Sequence, residues 1–85
     1  MHCLYVLESI KSKRKYIGIA ADIEKRLIAH NTGNVRSTKA YIPWKIICVE
    51  SFSTKADVAA REHDLKRNSW KRYDLYEKIK YGPIV

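Results

Sequence analysis

Five side chains in this sequence have the chemistry to hold and cut a phosphodiester: Tyr5, Tyr16, Arg26, His30 and Glu62. A phenol can take or share the proton of a water molecule. A guanidinium can lay two parallel N–H bonds on phosphate oxygens. An imidazole changes charge near neutral pH, and a carboxylate can hold a divalent cation. Each of these residue types is commonplace alone. Brought together, they would supply acid–base groups, an anion clamp and a metal ligand.

Their spacing gives the first constraint on whether they meet. Arg26 and His30 are four residues apart, so on a helix both emerge on one face. The alternative is a solvated basic face. Val58, Glu62 and Leu65 follow the i, i+4, i+7 pattern of a core-facing stripe. A carboxylate there is costly unless it is paired or metal-bound. Three readings stay open for Glu62: an ion pair with Arg26 or another base, a rotated helix that exposes it, or a metal ligand at the edge of the core. For Tyr5 and Tyr16 the question is register. In a hairpin, opposed residue numbers sum to a constant, and an odd sum, such as Tyr5 opposite Gly18, puts both phenols on one face. Ordinary aromatic packing is the competing fate. Gly18 leaves room beside Tyr16 for a ligand to approach.

The elements that must position these groups can be read from periodicity. Residues 3–8 and 15–19 predict two strands, joined by a polar turn over 9–14. Asp22 to about Asn31 predicts a helix, with Ile23, Leu27 and Ile28 inward, Asp22 and Glu24 at the positive end of its dipole, and Gly33 as its cap. Residues 32–43 read as a basic loop closed by Pro43, and 44–52 as a third strand. Thr54 and Asp57 resemble a capping box for a helix running to about Arg67. Asn68-Ser69 breaks the chain before a last helix from Trp70 to Lys80, ended by Gly82-Pro83. The order β-β-α-β-α-α predicts an α+β fold: a small three-stranded antiparallel sheet flanked by helices.

Composition bounds the function classes. The 85 residues predict one domain, 1–85. A hydrophobic fraction of 46% excludes a disordered chain. No apolar run approaches the ~18 residues needed to span a bilayer, and no leader segment stands out. The expectation is a soluble, cytoplasmic protein with no membrane partner. Cys3 and Cys48 read as small buried hydrophobes in a reducing compartment. There is no Cys-x-x-Cys pair, so nothing in the cysteine spacing points to a zinc knuckle or finger. Seventeen basic residues against 9 acidic give a net charge of +8, which predicts a polyanionic partner, with nucleic acid the foremost candidate. Trp70, Tyr73 and Tyr76 have the spacing of helical core residues; stacking on unpaired bases is the alternative.

Over residues 3–68 the sequence resembles a GIY-YIG nuclease domain of the small stand-alone bacterial kind. Tyr16-Ile17-Gly18 keeps the second half of the name. Cys3-Leu4-Tyr5 stands for the first half and keeps only its tyrosine. Asp22 to Asn31 followed by Gly33, the run Pro43-Trp44-Lys45, and Ala59-Ala60-Arg61-Glu62 match the remaining motifs. The resemblance implies that Glu62 ligates a single Mg²⁺ or Mn²⁺. It implies that Tyr5 and Tyr16 flank the attacking water, one of them as a phenolate base. Because free tyrosine titrates near pH ~10, the cation and Arg26 would have to favour that phenolate. Arg26 would also stabilise charge on the phosphate, and His30 would assist it or the proton traffic. Gly18, Arg36, Lys39 and Lys66 would contact the nucleic acid. The implied activity is metal-dependent endonucleolytic cleavage of DNA, with RNA not excluded, on branched or nicked structures of the kind met in DNA repair. A catalytically inactive nucleic-acid-binding module of the same fold is the alternative. Asn68 is the one late asparagine that could stand for the polar residue many members carry near the site. No accessory DNA-binding domain is evident, and the sequence sets no oligomeric state.

Overall fold

The computed structural model describes residues 1–82. Strand β1 (His2–Ser9) is apolar on both faces and takes the centre of a three-stranded sheet. Strand β2 (Lys15–Ala20) pairs with one of its edges and β3 (Trp44–Phe52) with the other, both antiparallel. The β1–β2 register places Tyr5 opposite Gly18 and Leu7 opposite Tyr16. This is the odd-sum register, so the two phenols share a face.

Helices cover both faces. Helix α1 (Ile23–Asn31) lies on the face carrying Tyr5, Leu7 and Trp44, packed by Ile23 and Leu27. Ile28, expected to point inward, is instead 63% exposed. Helices α2 (Lys55–Arg67) and α3 (Ser69–Ile79) close the opposite face, where Val58, Leu65 and Leu75 pack on Leu4, Val6 and Ile17. A bulge in β3, at the register shift beside Val6 and Leu7, lets consecutive Ile47 and Cys48 both join this second core. Cys48 is buried and its thiol is pushed up to about 11 by that burial. Cys3 is only half-buried, a partial correction to its expected place in the core.

Each helix is bounded by chemistry visible in the sequence. The Asp22 carboxylate accepts from Lys25 N–H, and the Thr54 hydroxyl from Asp57 N–H, both at 3.1 Å. Gly33 follows α1 at φ +82°, with Gly33 N–H bonded to His30 O and Asn34 N–H to Ala29 O, the paired bonds of a Schellman stop. Asn68 ends α2 and caps α3, its side-chain oxygen accepting from Trp70 and Lys71 N–H. Helix α3 therefore begins at Ser69, one residue before the expected start. The 32–43 segment holds a single short turn of 3₁₀ helix at Lys39–Tyr41. Of the expected Gly82-Pro83 stop, Pro83 lies outside the described residues.

Gly18 is where the sheet and the phenols constrain each other. A Cβ added there would lie 2.5 Å from the Tyr5 hydroxyl oxygen and 3.0 Å from the Tyr16 ring. The space over Gly18 is filled by Tyr5 itself, which corrects the expectation of room left for a ligand. Gly18→Ala should therefore cost about 1–3 kcal/mol through overpacking, read as a lowered thermal midpoint. An unchanged midpoint would contradict this packing.

Candidate active site

The first strand, the second strand and α1 bring four of the five candidates into contact. Tyr5 is 1% exposed, and its hydroxyl lies 3.0 Å from His30 Nε2. The Tyr16 and His30 rings meet edge-on with centroids 4.9 Å apart, and the two tyrosine rings are 6.3 Å apart. Arg26, one turn before His30 on α1, stands beside both phenols. Among the described residues its guanidinium has no carboxylate partner. It is thus a positive charge held over the tyrosines and available to an anion.

His30 is fully buried, and its protonation follows from its neighbours. The Thr38 hydroxyl donates to Val35 O at 3.3 Å, so toward His30 it accepts. His30 Nδ1 then carries the proton of the 2.8 Å bond to Thr38. Nε2 is left with a lone pair and accepts from Tyr5. Burial, and then the Arg26 charge, hold the His30 pKa below its ordinary value, so the ring is neutral.

Tyr5 departs from expectation. Burial raises its pKa above the usual phenol value and outweighs the opposing pull of Arg26. The Tyr16 and Glu62 charges add to the rise. In this structure Tyr5 keeps its proton, directed at His30, because a buried phenolate has lost the water that would solvate it.

Glu62 comes from α2 and lies close enough for its charge to act on Tyr5. Its side chain is 27% exposed and pairs with Lys66, one turn on, at 3.1 Å. Val58 and Leu65 on the same stripe are fully buried. The carboxylate therefore sits at the rim of the core, with Lys66 rather than Arg26 as its partner. Among the described residues no three His, Cys, Asp or Glu side chains gather as a metal cage. A single carboxylate at the rim is an oxygen donor of the kind hard divalent cations take up together with water and phosphate oxygens.

Sequence reasoning missed the residues behind the cluster. The loop carrying Thr38 is fastened by Trp44 Nε1–H donating to Thr38 O at 2.9 Å. Asn31 clasps Trp44 at both backbone groups, accepting from its N–H at 2.7 Å and donating to its carbonyl at 3.0 Å. The Ser9 hydroxyl donates to Tyr41 O at 2.6 Å. A polar loop gives no periodic signal, and only the motif around Asn31 and Pro43-Trp44-Lys45 hinted at this clasp. Arg36 and Lys39 are exposed on that loop, on either side of inward-facing Thr38. Trp70 and Tyr73, expected in the core, are 76% and 57% exposed and stack edge-to-face on one another. Only Tyr76 of that trio packs on the core. The amide of Asn68 is committed to capping α3.

The hairpin, the first helix and the later glutamate set out the architecture of a nuclease-class catalytic domain, and the GIY-YIG catalytic domain profile matches residues 1–74. The chain belongs to the GIY-YIG family. It is similar to UPF0213 proteins: 38% identical over 66 residues to one from Staphylococcus saprophyticus, covering 76% of this chain and 79% of that protein. It is 36% identical over 76 residues to the UPF0213 protein YazA of Bacillus subtilis, covering 88% and 76%. The solution NMR structure of the UPF0213 protein BH0048 from Bacillus halodurans superposes with a TM-score of 0.59 at 25% identity, covering 96% of this chain and 87% of that one. No helix among the described residues is long and apolar enough to cross a membrane.

The lowered His30 pKa fixes a sign. Unfolded histidine takes its proton near pH ~6.5, whereas buried His30 takes it only at lower pH. The unfolded state therefore binds more protons in that window, and folding stability falls as pH drops through it. Denaturant melts should show the wild type losing stability below about pH 6.5 more steeply than His30→Gln. Parallel slopes for the two proteins would contradict a neutral, buried His30.

Proposed function

We propose that this chain is a divalent-metal-dependent endonuclease that hydrolyses phosphodiester bonds in DNA. The observation that carries the reading is the buried Tyr5–His30 hydrogen bond set against unpaired Arg26. It gives a phenol a neutral proton acceptor on one side and a free guanidinium on the other. When a phosphate reaches the site, Arg26 binds its non-bridging oxygens. Tyr5 passes its proton to His30 Nε2, and the nearby positive charge favours the phenolate. That phenolate removes a proton from water, whose oxygen attacks phosphorus as the bond to the leaving oxygen breaks; the leaving oxygen takes up a proton from solvent, and His30 gives its proton back to solvent. Tyr16, the more exposed phenol, orients the water. Glu62 would hold a hydrated Mg²⁺ or Mn²⁺, which supplies positive charge to stabilise the leaving oxygen.

The Glu62–Lys66 pair favours one rival, a nucleic-acid-binding module whose carboxylate never takes up metal. Labelled branched and nicked DNA incubated with Mg²⁺, with and without EDTA, separates the two. Chelator-sensitive cutting supports the nuclease, and binding without cutting supports the rival. Glu62→Gln should abolish cleavage while DNA binding survives. Arg26→Ala should lower turnover by about 10²–10³-fold, the usual worth of one donor to developing charge. Undiminished cutting by the first variant, or a change under about tenfold in the second, would refute the assigned roles.

A further inference from the structure

One depression lies at the edge of β2 beside Tyr16, and a second adjoins it between α3 and the ends of β1 and β3. The nearer, of about 340 Å³, is lined by Tyr16, Lys66, Arg72, Lys15 and Tyr76. The farther, also about 340 Å³, is lined by Lys15, Tyr76, Lys45 and Glu8 among others. They share Lys15 and Tyr76, so they adjoin. At the shared wall the Lys15 ammonium sits 5.1 Å from the centre of the Tyr76 ring. Arg72 is anchored rather than loose, donating to the Leu65 and Lys66 carbonyls at 2.9 and 2.7 Å. The one acid among the described lining residues, Glu8, faces two lysines, at 3.5 Å from Lys15 and 3.7 Å from Lys45. Together they form a trough in two adjoining parts, richer in lysine and arginine than in acid, the nearer part lined by Tyr16.

We propose that this trough carries the phosphodiester backbone of the bound DNA strand away from the scissile phosphate, with Lys66 and Arg72 on the first neighbouring phosphate and Lys15 and Lys45 on the next. The assignment rests on the nuclease reading for its direction, since the strand is taken to pass Tyr16. It differs from the basic loop of Arg36 and Lys39 as the main backbone contact. Three features suit a phosphate track: an excess of lysine and arginine over acid, an aromatic wall that holds a lysine in place, and a rim shared with the reacting groups. Backbone contacts of this kind position a strand without reading its sequence. They also release counterions, so each leaves a signature in the salt dependence of binding.

The test is fluorescence anisotropy of a labelled DNA duplex with full-length protein in EDTA, over a series of salt concentrations. Metal and chemistry are then absent from the readout. Lys15→Gln and Lys66→Gln should each make the slope of log K against log salt shallower by about 0.9, one phosphate contact apiece. Lys78→Gln, outside the trough and paired with Asp74, should leave the slope unchanged. Wild-type slopes in both trough variants, or an equal loss in the Lys78 control, would overturn the proposal. A wild-type protein that binds with these slopes but never cuts would sink the nuclease reading and leave the track standing. Metal-dependent cutting with unaltered slopes would do the reverse.

Discussion

The buried hydrogen bond between the Tyr5 hydroxyl and His30 Nε2 is the constraint on which the rest of the site depends. It joins the central strand to the last turn of α1, two elements 25 residues apart. Everything around it serves to hold it. Gly18 gives up its side chain so that the Tyr5 ring can cross the sheet. Thr38 fixes the tautomer. Trp44 and Asn31 fix the loop that carries Thr38. A polar bond this deep is stabilising only when every partner is satisfied, and among the described residues no buried side-chain donor or acceptor is left without one.

The electrostatics around that bond set a resting state and a trigger. Burial keeps Tyr5 protonated and His30 neutral. Arg26 works against the first and with the second. An arriving phosphate would partly neutralise Arg26, which eases protonation of His30. Neutralising Arg26 removes charge that favours the Tyr5 phenolate, so loss of the phenol proton would need a cation held beside the site. In the resting state the proton is thus on the Tyr5 oxygen, and under the proposed function a bound phosphate would shift the balance toward the His30 nitrogen. Glu62 follows the same logic at the rim. Its exposed pair with Lys66 is weak, of the order of ~0.3–0.5 kcal/mol for such helix pairs, so a cation or a phosphate can divide the two partners between them.

Much of this could be read from residue order. The strands, the helix starts at Asp22 and Thr54, and the stop at Gly33 follow from local chemistry that acts within a turn or two. The shared face of the phenols could be posed as a parity question but not answered, because register depends on how the whole hairpin closes. The spacing of Val58, Glu62 and Leu65 put the carboxylate on the core-facing stripe but left its burial and its partner open, because both depend on how α2 is rotated against the sheet. Trp70 and Tyr73 went wrong for a physical reason. Helical spacing shows that residues share a face, not which face, and α3 buries Leu75, Tyr76 and Ile79 instead. The clasp of Thr38, Trp44 and Asn31 was only hinted at by motif, because its bonds link loop atoms across the fold.

The central claim is that His30 is neutral and holds its proton on Nδ1, leaving Nε2 to receive one from Tyr5. Long-range ¹H–¹⁵N correlation spectra of the imidazole nitrogens at neutral pH test it directly. The account predicts a protonated Nδ1 and a bare Nε2 for His30, with the Nε2 shift moving when Tyr5 is replaced by phenylalanine. A proton on Nε2, or a doubly protonated ring, would contradict it.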